Sequence, residues 1–258
     1  MPTNTLPLLT VARITFKEII RERLLAGIFL ISVLVTAASF FLATISLDQN
    51  HRVILDTGIG AIHLSALFIT VFVATNSMSK DLDRRALYLL LPKPMTRTQY
   101  ILGKYIGFVF LLKTALLLLG GLFLLGLAFT DRSLLLPATI DLLYSLAEIS
   151  LLLGFATLFS TFTAPLNAAL YTIALFIIGH SLVTLRTFVA LNGTVFIKGL
   201  VSVLYYVLPN FDKFDVRQAI LYGLYPSGLS VLLTVLYWLL FTGLALYLAV
   251  RVMKVREV

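Results

Sequence analysis

Two ionisable residues stand inside long apolar runs, Lys113 and Glu148. An unpaired charge at membrane depth costs at least about 2.5–3.5 kcal/mol on insertion scales, so each needs a partner or a task. Lys113 lies nine residues past Lys104, about 13 Å into the membrane at about 1.5 Å per residue. Glu148 lies seven residues past Asp141, about 10 Å in from the opposite face. In a hydrocarbon core of about 30 Å their levels differ by several ångström, and consecutive antiparallel spans can be neighbours. A Lys113–Glu148 pair that fixes two helices offsets much of the cost. A role in substrate passage is the functional alternative.

The second chemical feature is Ser79–Lys104, SKDLDRRALYLLLPKPMTRTQYILGK, between two apolar runs. It holds eight of the 32 charged residues: Lys80, Asp81, Asp83, Arg84, Arg85, Lys93, Arg97 and Lys104. Such a segment cannot lie in lipid, so it faces water and offers a soluble partner a docking handle that includes Tyr88. Pro92 and Pro94 end its helix after Leu91, because proline lacks the amide donor and disfavours a helical residue before it.

Other chemistry is sparse. The chain has no G-x-x-x-x-G-K-[ST] loop; Gly103-Lys104 and Gly120-Gly121 lack the spacing to cradle phosphate. The three histidines, His51, His63 and His180, lack metal-ligand spacing and read as isolated polar residues. His180 falls inside an apolar run, which leaves a polar path as its functional alternative. No serine–histidine pairing points to an intramembrane protease. Asn192-Gly193-Thr194 matches a glycosylation acceptor, a three-residue pattern of little weight. Cysteine is absent, which excludes disulfides and thiol catalysis. No metal site and no cofactor bound by this chain are expected.

These residues are positioned by membrane helices. The chain has 258 residues, 60% hydrophobic and 12% charged, with mean hydropathy +1.01. A soluble domain carries about a quarter charged residues. Six segments are long enough to cross: Leu24–Ile45, Gly58–Met78, Tyr105–Leu127, Ala138–Phe162, Leu166–Leu185 and Gly228–Val250. Backbone groups in lipid must be satisfied internally, so all six are expected to be helices. The first is expected to be retained, since no secretory cleavage pattern follows a short apolar core.

Basic residues orient the bundle. With both termini inside, the cytoplasm holds 13 lysines and arginines and the exterior six. That bias favours N-in, C-in. It also accounts for the net charge of +8 without nucleic acid.

Two further segments associate with the membrane. In Val11–Arg23, Ala12, Phe16, Ile19 and Ile20 share one face, while Arg13, Lys17 and Arg21 recur at i, i+4 on another. This reads as an interfacial helix on the inner leaflet. Ile197–Leu208, followed by Pro209-Asn210, is too short to span and reads as re-entrant or interfacial. A seventh crossing there would carry Arg251, Lys254 and Arg256 outside. Gly103 and Gly107 form a G-x-x-x-G that lets helices approach closely.

A family resemblance gathers around these residues. Asp81-x-Asp83-Arg84-Arg85, Leu89-Leu90-Leu91-Pro92-x-Pro94, Arg97 and Leu102-Gly103-Lys104-x-x-Gly107 resemble the second-to-third-span pattern of ABC-2-type transporter permeases. Ser160–Pro165 leading to Ile178-Gly179-His180, and Leu204–Phe211, resemble later blocks of the same family. The likeness covers nearly the whole chain and is similar to the branch that includes permeases of nitrous-oxide-reductase maturation systems and many poorly assigned bacterial permeases. Many members carry Glu and then Thr where this chain has Asp81 or Asp83 and Ala86, which puts that acidic contact in question.

The resemblance implies one permease domain over 1–258. Its fold would be all-α with six transmembrane helices, N-in and C-in. Residues 11–23 would be a connecting helix, 79–100 a cytoplasmic coupling segment, and 186–227 an external segment with a re-entrant hairpin before the last span. It further implies two copies of a cytoplasmic P-loop ATPase carrying ATP and Mg, a second permease copy, and a bacterial inner membrane. The chain itself would not be an enzyme. The expected function is export of a hydrophobic or amphipathic substrate. The competing expectations are a membrane scaffold or mechanical transmitter acting on an extracytoplasmic partner, and an intramembrane lipid-modifying enzyme.

Overall fold

The computed structural model describes residues 6–45, 50–78 and 96–255. All regular structure among the described residues is helical: α1 (Leu6–Ile20), α2 (Arg23–Ile45), α3 (Asn50–Phe68), α4 (Arg97–Thr130), α5 (Leu135–Ser160), α6 (Pro165–Asn192), α7 (Val195–Val207), α8 (Arg217–Leu221) and α9 (Gly228–Val255). A π-helical turn, Ile69–Ala74, carries α3 on to Met78. Among the described residues six helices are long and apolar enough to cross a membrane: α2, extended α3, α4, α5, α6 and α9. This is the character of a multi-pass membrane protein, whose main-chain polar groups must all be paired within the span.

The boundaries differ from the sequence reading for local reasons. Helix α4 starts at Arg97, eight residues before Tyr105, because Thr96 and Gln99 form a capping box. Gln99 N donates to Thr96 Oγ1 at 3.2 Å, and Thr96 N donates to Gln99 Oε1 at 3.1 Å. The last four residues of the segment 79–100 therefore belong to α4. Pro165 starts α6 at its first turn, where a missing amide costs nothing. That helix continues past Leu185 to Asn192, so residues 186–192 extend the fifth apolar helix. Helix α1 stops at Ile20, short of Arg23, where Arg21 N and Glu22 N bond to carbonyls three residues back, at 3.2 and 2.9 Å.

The start of α4 and the end of α9 meet at one face of the bundle. The Arg97 guanidinium, at the start of α4, donates to the carbonyls of Met253 at 2.6 Å and Lys254 at 3.1 Å, at the end of α9. Helix α1 packs here against α4. Gly103 and Gly107 are the seat: a Cβ at Gly103 would stand 2.8 Å from Val11 Cβ, and one at Gly107 2.7 Å from the Ala12 carbonyl oxygen. On α1 the buried face is Ala12, Thr15 and Ile19, with Phe16 against the core and Arg13 and Lys17 exposed. Ile20, on the same side of the helix, is 49% exposed, at the edge of the buried stripe.

Helix α5 runs through the centre, flanked by α4, α6 and α9. The rest of the core is built by large side chains such as Phe108, Phe123 and Leu112 between α1, α3, α4 and α5. Helix α2 turns a stripe of small polar residues inward, Ser32, Thr36 and Ser39. In lipid such stripes allow close packing where hydrophobic burial supplies little drive. At the far face α7 is followed by the turn Phe211–Lys213 and α8, with a bend of 57° between them.

A polar network at mid-height

Polar residues recur along one face of two otherwise apolar helices. On α3 they are Asp56 and His63, seven apart; on α5 they are Asp141, Ser145 and Glu148, at i, i+4 and i+7. Residues at that spacing stack on one helix face. The α5 set is buried, with Asp141 3%, Ser145 4% and Glu148 3% exposed. Packing α3 and α6 onto α5 brings the stripes together with His180.

The contacts run inward from the far face. Arg52 Nε stands 3.6 Å from Asp56, and its Nη2 donates to Gln218 Oε1 at 3.4 Å. Arg217 Nε, at the first residue of α8, donates to Asp141 Oδ2 at 2.8 Å, and its Nη1 lies 4.0 Å from Asp56. Deeper, His63 Nδ1 meets Ser145 Oγ at 3.2 Å and its Nε2 lies 3.6 Å from Glu148 Oε1. His180 Nε2 is 2.7 Å from the same Glu148 oxygen, and its Nδ1 is 3.5 Å from Asp212. Glu148 is the fourteenth of 26 residues in α5, so the deepest contacts sit near the middle of that span. At the far edge, outside the spans, burial pushes the Asp212 carboxyl above its ordinary value while the neighbouring imidazole pulls it back.

The Lys113–Glu148 pair does not form. Lys113 is exposed on the outer surface of α4, beside exposed Phe110 and Leu117. Leu111, Leu112 and Leu116 occupy the buried side of that helix. Glu148 instead has His180 and His63. The two histidines read as isolated are the core of the network, and Ser145, Asp141, Asp212 and Arg217 join them. The sequence signal was there in the i, i+7 polar repeats on α3 and α5.

This arrangement can hold and pass protons between imidazoles and carboxylates. Ser145, His63 and Glu148 also have the residue types of a hydroxyl nucleophile, base and carboxylate. At 4% exposure, Ser145 has no room beside it for a substrate carbonyl. Among the described residues no group of three or more His, Asp or Glu has the geometry to hold a metal ion.

Of the predicted coupling residues, Arg97 lies where α4 begins and α9 ends. Lys80, Asp81, Asp83, Arg84, Arg85 and Tyr88 lie outside the described residues. Arg97 is the clamp onto the end of α9. Lys104 is buried and donates to Ser77 Oγ at 3.2 Å, tying the start of α4 to the end of extended α3. The helices on either side of residues 79–95 are thus fixed to each other, to α1 and to α9. No protein-family model matches the chain, and no curated protein matches it.

Proposed function

We infer that this chain is the permease subunit of an ATP-driven exporter of the ABC-2 type, powered by a separate P-loop ATPase. The observation that carries the reading is the anchoring of the helices that flank residues 79–95. That segment has the density of charge a docking element needs. The helices on either side of it are locked by Lys104 to Ser77 and by Arg97 to the end of α9. A load applied to the segment would reach the bundle through these ties. The amphipathic α1, seated on the Gly103/Gly107 face, fits a connecting helix on the inner leaflet. The basic-residue bias fits N-in, C-in. In this scheme ATP binding closes two ATPase subunits. The segment moves with them, and rigid helices rock to open a path for a hydrophobic or amphipathic substrate at the interface with a second permease copy. The bent α7–α8 segment would be the external re-entrant hairpin.

The mechanical-transmitter reading has one observation in its favour. The far-face segment is tied to the bundle through Arg217 and Asp212, as a lever acting on an external partner requires.

The test is co-reconstitution in vesicles with candidate P-loop ATPases from the same genome. The expected result is ATP hydrolysis stimulated by the chain, and loss of that stimulation on Arg84→Glu with Arg85→Glu while insertion is unchanged. Stimulation that survives both charge reversals would remove the docking role. Substrate flux in the same vesicles separates exporter from transmitter.

A further inference from the structure

His180 makes the strongest demand on its surroundings. Its two ring nitrogens face two carboxylates, Nε2 at 2.7 Å from Glu148 Oε1 and Nδ1 at 3.5 Å from Asp212 Oδ1. A neutral imidazole has one N–H and one lone pair. Either neutral tautomer would aim its lone pair at a carboxylate oxygen. The doubly protonated ring offers a hydrogen to each.

The charged groups around it are otherwise committed. From α3, His63 stands 3.6 Å from Glu148 and shares its other nitrogen with Ser145. From α5, Asp141 is held by Arg217 at 2.8 Å. From the far-face segment, Lys213 lies over the Tyr237 ring at 4.1 Å, and Asp215 adds negative charge near Asp212. From α9, the Tyr237 hydroxyl accepts from Asn210 N at 2.6 Å. Lys113, the cation at similar height, faces outward from α4.

We propose that the proton is the ligand of this site, and that proton-bound His180 latches the turn at residues 209–214 onto the bundle. The turn is shaped for that seat. Phe176 packs edge-on against the imidazole with centroids 4.5 Å apart, and Phe211 lies at 5.6 Å. Gly179 makes the approach possible: a Cβ there would meet the Pro209 carbonyl oxygen at 2.7 Å and the Phe211 ring. Asn210 Oδ1 accepts from Asp212 N at 3.0 Å, which fixes the residue that carries the carboxylate. The Asp212 side chain is 31% exposed, so protons reach the Nδ1 side from the far face.

Losing a proton leaves His180 one N–H. It stays with the shorter and more buried Glu148 contact. Asp212 then faces a lone pair and is expelled. The Arg217–Asp141 tie does not titrate in this range, because arginine keeps its charge. Release is therefore local: the turn lifts while α8 stays anchored. The latch is closed below the pKa of the imidazolium and opens as pH rises through it.

The test uses the full chain in nanodiscs between about pH 5 and about pH 9, which brackets the ordinary histidine value of about 6.5. Imidazole nitrogen NMR, assigned with His180→Gln, reads the ring directly. The expected result is two protonated nitrogens at the acidic end and one at the alkaline end. One protonated nitrogen throughout would overturn the proposal. The chain has no cysteine, so an introduced thiol is unique. Labelling of buried Phe214→Cys, divided by that of exposed Lys213→Cys, corrects for thiol ionisation. The ratio should rise about tenfold on deprotonation, as loss of one charged hydrogen bond implies. Asp212→Asn accepts a neutral partner and should flatten the pH profile. A profile that is flat in the parent, or unchanged in Asp212→Asn, would also overturn it.

Discussion

Arg217→Ala strips the partner from the most deeply placed of the far-face acids. Arg217 Nε is 2.8 Å from Asp141 Oδ2, and the Asp141 side chain is 5% exposed. The nearest other charges on this pair include Asp215 and Asp56, both acidic, so nothing replaces the guanidinium. Removing one member of a buried pair costs about 3–5 kcal/mol, because the remaining charge stays buried and uncompensated. Arg217 is itself 21% exposed, so solvent screening places the loss near the low end. A loss of about 3 kcal/mol corresponds to a shift of about 6–12 °C in midpoint for a chain of this size. The assay is thermal unfolding in nanodiscs followed by Trp238. It is the sole tryptophan, and its indole donates to Ser150 Oγ at 2.8 Å, so it reports on the α5–α9 contact. Arg217→Gln combined with Asp141→Asn keeps a neutral hydrogen bond and should recover about 2 kcal/mol relative to the sum of the single changes. A midpoint for Arg217→Ala equal to the parent, or strict additivity in the double variant, would refute the reasoning.

Further outcomes follow from the same geometry. Gly107→Leu should unseat α1 and cost about 1–3 kcal/mol by overpacking, read as faster proteolysis within residues 6–20 with the remaining helices protected. Lys113→Met should leave the unfolding midpoint unchanged or raise it, whereas Glu148→Ala, which strips the carboxylate from His180, should lower it; equal losses in both would restore the Lys113–Glu148 pair. Thr96→Ala should cost about 1 kcal/mol through loss of the cap on α4, measured in the same unfolding assay.

Length and hydropathy were enough to place six helices, and the close approach at Gly103 and Gly107 was legible as a small-residue motif. The mid-height network was not, and Lys113 shows why. Counting residues at about 1.5 Å each gives height. It does not give direction around the helix axis, which advances by about 100° per residue. Helix α4 is apolar on every side, so nothing in its sequence says that Leu112 faces inward and Lys113 outward. Glu148 therefore found a partner of the right height on the wrong side. The true partners, His63 and His180, lie 85 residues earlier and 32 residues later in the chain and meet Glu148 only after α3 and α6 have packed on α5. The stripes Asp56/His63 and Asp141/Ser145/Glu148 were the one local sign, since i, i+7 polar repeats in an apolar helix mark a buried face.

The energy source is the centre of the account. A photocrosslinker placed at Tyr88 in the membrane-inserted chain tests it most directly. The account predicts an adduct with a cytoplasmic P-loop ATPase that strengthens or shifts on addition of ATP. Labelling of that position from the opposite side of the membrane, or crosslinks that never include a nucleotide hydrolase, would contradict it.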